Sequence, residues 1–195
     1  MLTHRFRSRK RIRPCHSSSA AAIVTLSSKI PVMLLYGAAI WCAAILLAPV
    51  CVAGAGFPKV IGQAIYFSFG EICHQIDSRS VYLGDYPLAV CVRCSAVYFG
   101  FLLGTIMYVA LGSKPSTRYS YRWLVIIASV PMLFDVAGGT LGVYSMTDFS
   151  RLFTGGWFGI IIAWCVIPLA VDGAGQMARL HRFQIPSRLR GFSRV

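Results

Sequence analysis

The residues of this chain best suited to chemistry are the adjacent Cys73 and His74 and a Cys-x-x-Cys motif formed by Cys91 and Cys94. Thiolate sulfur and imidazole nitrogen are the ligands that zinc takes in proteins, and iron accepts a similar set. A structural zinc site uses four such ligands, whereas a catalytic site uses three and keeps one position for water. The four side chains therefore predict a transition-metal site of either kind, with zinc as the first metal and iron as the alternative. A covalently attached c-type haem is not expected, because Ser95 rather than His follows the motif.

Two other interpretations of the cysteines remain open. In an oxidising compartment, Cys91 and Cys94 would form a disulfide or serve a membrane thiol–disulfide oxidoreductase. Four-span oxidases of that kind use a second cysteine pair in another outer loop, and residues 145–152 contain no cysteine. The thiols are otherwise unreactive apolar side chains, which is the interpretation for the cysteines within apolar segments.

Membrane helices must position these side chains. Of the 195 residues, 56% are hydrophobic and 13% are charged, whereas soluble domains are about 45–50% apolar and about 25% charged. Crossing the hydrocarbon core takes a helix of roughly 20 apolar residues. Four segments meet this requirement: Val32–Val52, Val92–Leu111, Trp123–Tyr144 and Phe153–Val171. Val60–Phe69 is apolar but too short, and we expect it to form an interfacial or re-entrant helix before Cys73.

These segments predict an all-α integral membrane protein with a single four-helix domain over residues 31–172. The loop over residues 54–91 carries most of the Cys/His cluster. Residues 1–30 form a basic tail that is expected to be disordered, and residues 173–195 form a second basic tail.

Charge predicts the orientation of the spans. Most of the 19 Lys and Arg residues lie before the first span, between the second and third, and after the fourth. The positive-inside rule assigns these three segments to the cytoplasm. Both termini are therefore expected to be cytoplasmic in a multi-pass protein of the cell (inner) membrane, with the cysteines facing outward. The net charge of +13 is spread over juxtamembrane segments without a nucleic-acid motif, so anionic lipid head groups are the expected partners.

Further charged residues offer roles around the cluster. Asp135 lies within the third span, where a carboxylate is costly and needs a partner such as Arg93 or Arg151. It serves either as a packing ion pair or, like Glu71, as a general base beside the metal. Arg79, Arg93 and Arg151 are candidates for binding an anionic group, since guanidinium binds phosphate through two hydrogen bonds. Surface ion pairing is the alternative for these arginines.

The spacing of these residues also resembles that of a family. Its signature consists of Cys73-His74-Gln75, Arg79-Ser80, Cys91-x-Arg93-Cys94, Tyr98-x-Gly100 and Arg151-x-x-Thr154-Gly155. The chain resembles small predicted membrane proteins of bacteria and archaea that form a domain of unknown function. The resemblance marks positions over about residues 60–172 and implies a membrane fold, but it supplies no mechanism.

The sequence thus predicts a membrane protein with an outward-facing Cys/His metal site that is either structural or catalytic. A thiol–disulfide oxidoreductase is the second hypothesis, and it tolerates loss of His74, whereas a metal site built on His74 does not. A non-catalytic assembly or transporter subunit is the third. Four spans are few for a transporter, so that role would require a homo-oligomer.

Overall fold

The computed structural model describes residues 18–112, 121–143, 145 and 147–183, and only the backbone of residues 18–28, 121–122 and 178–183. The described part is an all-α membrane protein. Its helices are α1 (Ser18–Ala53), α2 (Phe57–Gly70), α3 (Val92–Ala110), α4 (Tyr121–Thr140) and α5 (Asp148–Phe183). Between α2 and α3, a 3₁₀ turn (Asp77–Arg79) precedes a small antiparallel hairpin of β1 (Tyr82–Leu83) and β2 (Tyr86–Pro87).

The four predicted spans are confirmed as helices long and apolar enough to cross a membrane. Within the described residues they cover Lys29–Ala53, Val92–Ala110, Trp123–Thr140 and Asp148–Met177. The third ends earlier than predicted because Gly142 adopts a left-handed conformation (φ 70°). The amide of Val143 then donates to the carbonyl of Gly138 (2.9 Å), which closes the helix with a Schellman-type cap. The predicted end at Tyr144 lies outside the described residues.

The helices at the two chain ends reach beyond the predicted domain. Helix α1 begins at Ser18, so residues 18–30 of the tail expected to be disordered are helical. The run of Ala, Ile, Val and Leu between Ala20 and Leu26 explains this extension, because these apolar residues continue the hydrophobic segment of the first span. Helix α5 similarly continues to Phe183. Residues 1–17 and 184–195 of the two predicted tails lie outside the described part.

Close contact between α3 and α5 forms the centre of the bundle. Glycines on both helices lie at this contact, so the two backbones approach with no side chain between them. A Cβ at Gly104 would lie 2.7 Å from the carbonyl oxygen of Ile160, and one at Gly155 would lie 2.8 Å from that of Arg93. Small residues permit such approaches in membrane bundles, where packing rather than hydrophobicity drives association. This contact fixes the starts of α3 and α5 next to each other.

The loop between α2 and α3 folds back over the same end of the bundle. Leu88, Ala89 and Val90 are buried with Ile45 of α1 and Phe69 of α2. The hairpin stays at the surface, with Tyr82, Leu83 and Tyr86 exposed, while the segment just before α3 is packed into the core. This segment determines where α3 starts.

We expect Gly159→Ala to destabilise the α3–α5 pair, because the added methyl group would overlap the carbonyl oxygen of Val97. Overpacking of this kind costs about 1–3 kcal/mol. Gly173→Ala on the same helix is the matched control, since nothing lies within 4 Å of a Cβ there. Unfolding of the purified variants in detergent measures the difference. Equal stability of the two variants would contradict this account of the contact.

Candidate metal centre

Two separate elements bring the cysteines together. Cys73 lies just after α2, where its amide donates to the carbonyl of Phe69 (2.9 Å), and its side chain is buried. Cys91 is the N-cap residue of α3, and Cys94 lies in the first turn of the same helix. The start of α3 thus places the predicted pair, Cys91 and Cys94, and the end of α2 places Cys73.

Gln75 ties these two elements to each other. Its Nε2 donates to the carbonyl oxygens of Tyr66 (2.7 Å) and Ala89 (2.9 Å), and its backbone adopts a positive φ of 46°. The hydroxyl of Tyr66 donates in turn to the carbonyl of Pro87. Gln75 belongs to the sequence signature, but the sequence alone assigns it no role. The sequence feature that points to a role for Gln75 is its position beside the cluster, between apolar segments whose buried carbonyls need hydrogen-bond donors.

The geometry of the three sulfur atoms suits a metal ion. The Sγ atoms of Cys73, Cys91 and Cys94 all lie within 4.8 Å of one another, and none of the three is in a disulfide. Tetrahedral zinc with Zn–S bonds of about 2.3 Å separates its sulfurs by about 3.8 Å, so only small side-chain adjustments are needed. The amide of Cys91 also donates to Sγ of Cys73 (3.3 Å). This bond ties the N-cap residue of α3 to the cysteine that follows α2.

The surroundings of Cys91 favour its thiolate form. The pKa of Cys91 is lowered to about 5, mainly because the side chain of Cys94 donates a hydrogen bond to it. Burial opposes this shift by desolvation, and the amide of Cys94 and the thiol of Cys73 reinforce it. The N-terminus of α3 adds a favourable dipole at the same sulfur. Cys91 is therefore poised as a ligand or as a nucleophile.

His74 lies outside this three-sulfur group, although it lines the same cavity and is exposed. Neighbouring residues direct their side chains apart, so the buried position of Cys73 leaves His74 at the rim. Its role as fourth ligand stays a prediction. Glu71 is exposed and does not line the cavity, so the structure does not bring this proposed base to the sulfurs.

A cavity of about 220 Å³ opens beside the cysteines. All three arginines singled out in the sequence line it. Arg79 comes from the 3₁₀ turn, Arg93 from the first turn of α3 and Arg151 from the first turn of α5. No acidic residue belongs to its described lining. The cavity therefore combines soft metal ligands with a positively charged wall.

Asp135 pairs with Arg93, one of the two partners considered from the sequence. The carboxylate is only 4% exposed and the Arg93 side chain 19% exposed. Arg151 pairs instead with Asp148, which is 70% exposed, over a distance of 3.0 Å. Asp135 does not line the cavity with the cysteines. Its placement supports the packing interpretation, in which it holds α4 against the start of α3.

Comparison with known proteins relates the chain, including the cysteine cluster, to a recognised family. The family described as Predicted membrane protein (DUF2085) matches residues 73–165. The chain is also 30% identical over 113 residues to Uncharacterized protein MJ1492 of Methanocaldococcus jannaschii, a match that covers 58% of this chain and 72% of that protein. No solved structure matches the chain. The resemblance inferred from the cysteine signature is thereby confirmed at the level of the family.

We expect Asp135→Asn to destabilise the protein, because the half-buried Arg93 loses the buried carboxylate that it pairs with. Breaking one partner of a buried pair costs about 3–5 kcal/mol. Asp148→Asn removes the exposed partner of Arg151 and should cost less than about 1 kcal/mol. Unfolding free energies in the same detergent provide the comparison. A similar small loss in both variants would show that the Arg93–Asp135 pair does not hold α4.

We expect Cys91 of chelator-treated protein to react with iodoacetamide with a pH midpoint near 5, following its lowered pKa. The thiolate is the nucleophile, so the rate rises with pH through the pKa and then levels off. Trypsin cleavage after Lys59, Arg79 and Arg93 places the three cluster cysteines on separate peptides for mass spectrometry.

Cys94→Ala is the control for the cause of this shift, because it removes the largest stabilising hydrogen bond to Cys91. In this variant the pH midpoint for the reaction of Cys91 should rise toward about 8.5, the pKa of a free cysteine. An unchanged midpoint in the variant would assign the shift to the helix terminus instead.

Proposed function

This chain belongs to the DUF2085 family of predicted membrane proteins, and we propose that its cysteine cluster is a transition-metal site with zinc as the first metal. The observation that carries the proposal is the mutual approach of three Sγ atoms to within 4.8 Å. The chemistry of the donor set supports it, since thiolates favour zinc over the hard cations that take oxygen ligands. The lowered pKa of Cys91 also favours the deprotonated state that metal binding requires.

The fourth coordination position decides what the metal does. If His74 turns inward from the rim of the cavity, the ion has four protein ligands and fastens the loop to the bundle as a structural site. If His74 stays at the rim, one position is left for water or a substrate entering the cavity, as in catalytic zinc sites. The proposed site is compatible with either role, and removal of His74 separates them.

We further propose that the protein lies in the cell membrane with both termini in the cytoplasm. The distribution of Lys and Arg supports this orientation. Cys73 packs with Ile45 and Ala48 in the C-terminal third of α1, and the cluster lies where α3 and α5 begin, away from the first residues of α1 and the last described residues of α5. In this orientation the metal site faces outward.

A thiol–disulfide oxidoreductase is the second candidate function. The observation that favours it is the acidic Cys91 at a helix N-terminus with Cys94 one turn away, an arrangement typical of reactive Cys-x-x-Cys pairs. In such a reaction Cys91 would attack a substrate disulfide and Cys94 would resolve the mixed disulfide. The buried Cys73 has no part in that exchange, whereas the metal site uses all three thiols.

The metal proposal predicts about one zinc per chain in protein purified in mild detergent without chelator. Cys73→Ser, Cys91→Ser and Cys94→Ser should each lower the metal content at least tenfold, because each removes a ligand. Cys165→Ser is the matched control, since this buried cysteine lies within α5 and is not part of the cluster. Inductively coupled plasma mass spectrometry on all four variants gives the answer.

Counting free thiols in the same samples decides between the two candidate functions. Metal-free wild-type protein with Cys91 and Cys94 in a reducible disulfide would overturn the metal site and favour the oxidoreductase. His74→Ala then assigns the fourth position. Loss of zinc to a weak chelator in this variant indicates four protein ligands, and retention indicates an open position.

A further inference from the structure

We propose that the cavity beside the cysteines binds the phosphate group of an anionic ligand. The proposal rests on the proposed function in one respect, since it places this group next to the metal. Arg79, Arg93 and Arg151 come from three different elements and line one cavity of about 220 Å³. Phosphate is the chemical class indicated, because guanidinium groups bind its oxygens through paired, charge-assisted hydrogen bonds.

The charges around the cavity favour an anion. Arg93 is balanced by Asp135 and Arg151 by Asp148, and neither carboxylate lines the cavity. Arg79 forms no ion pair with any residue that the structure describes. The side chains of Arg93 and Arg151 are 19% and 11% exposed, so their charges are poorly screened by water. Cationic groups in such a setting attract a ligand more strongly than surface arginines do.

The first turn of α3 supplies a second, independent attraction. The positive end of the helix dipole favours negative charge at this terminus. Because Arg93 lies in the same turn and lines the cavity, the dipole and the guanidinium act at one end of the helix.

Two sources of phosphate fit this chemistry. Tyr98 lies one turn beyond Cys94 and lines an apolar groove of about 610 Å³ between α1, α3 and α5. A lipid could place its acyl chain in such a groove and its head group near the arginines. A soluble phosphate compound would reach the same arginines from the aqueous side. The binding chemistry is shared, and the experiment separates the sources.

A different role for the arginines is to balance the negative charge of the thiolates. Zinc with three thiolates carries a net charge of −1, which a neighbouring guanidinium would neutralise. In that case, removing an arginine would weaken metal binding, and neither the wild type nor the variant would bind an anion. The two roles therefore differ in which measured quantity responds to the substitution.

The test uses the full chain with Arg79→Gln and Arg151→Gln combined. The matched control is Lys59→Gln, which removes one exposed positive charge from α2, near the same end of the bundle but outside the cavity. Inorganic phosphate binding is measured by calorimetry in detergent. Phosphatidic acid binding is measured by native mass spectrometry, with phosphatidylcholine as the reference lipid. Zinc content is determined on every sample.

We expect wild-type protein and Lys59→Gln to bind alike and the double variant to bind at least about tenfold more weakly, with its zinc content unchanged. Arg79→Lys alone should lie between them, because it keeps the charge and loses the paired hydrogen bonds. Response to inorganic phosphate identifies a soluble ligand, and response to phosphatidic acid alone identifies a lipid head group.

Equal binding by wild type and the double variant, or no binding of either probe, would overturn the proposal. So would loss of zinc from the double variant without any anion binding, since the arginines would then serve the thiolates. Failure of the proposed metal site appears separately, as absence of zinc from the wild type, and leaves the phosphate measurements to be judged independently.

Discussion

The amide of Gln75 donates to the carbonyl oxygens of Tyr66 and Ala89, and it thereby joins the end of α2 to the segment that enters α3. Near the hydrocarbon core, carbonyls left without a donor would cost several kcal/mol each (about 2–7). One side chain satisfies two of them and sets the separation between Cys73 and Cys91. The three sulfurs meet because Gln75 holds the end of α2 close to the segment before α3. Gln75 itself is not a candidate ligand.

The second constraint is the contact between α3 and α5. Glycines let the two backbones touch, so the first turns of both helices lie side by side and bring Arg93 and Arg151 to one cavity. Helix α4 lies outside this pair, and the ion pair between its buried Asp135 and the half-buried Arg93 holds its C-terminal part. Arg93 thus connects the packing of α4 to the wall of the candidate site. A change that loosens α4 would alter the cavity even without touching a cysteine.

Much of this arrangement could be predicted from the sequence, because it depends on local signals. Span lengths follow from apolar runs. The early end of α4 was not predicted, because it depends on the left-handed conformation of Gly142, which the apolar pattern of the segment does not contain. The grouping of Cys91 and Cys94 follows from helical spacing. The position of His74 could not be read in this way, because the turn after α2 directs Cys73 inward and leaves its neighbour at the rim. The contribution of Gln75 depends on contacts between segments that are distant in sequence, which a pattern of residue types does not contain.

Charge balance links the sulfur cluster to the arginines. A partly buried guanidinium is costly unless an opposite charge offsets it, and Asp135, which does not line the cavity, offsets Arg93. The face of Arg93 toward the cysteines then meets sulfur that already carries negative charge, because the lowered pKa of Cys91 keeps it a thiolate at neutral pH. A zinc ion bound by three thiolates would carry the same net charge of −1. Binding of the proposed metal would therefore change the potential at the arginine wall little, and this wall would attract an anion whether or not the metal is present.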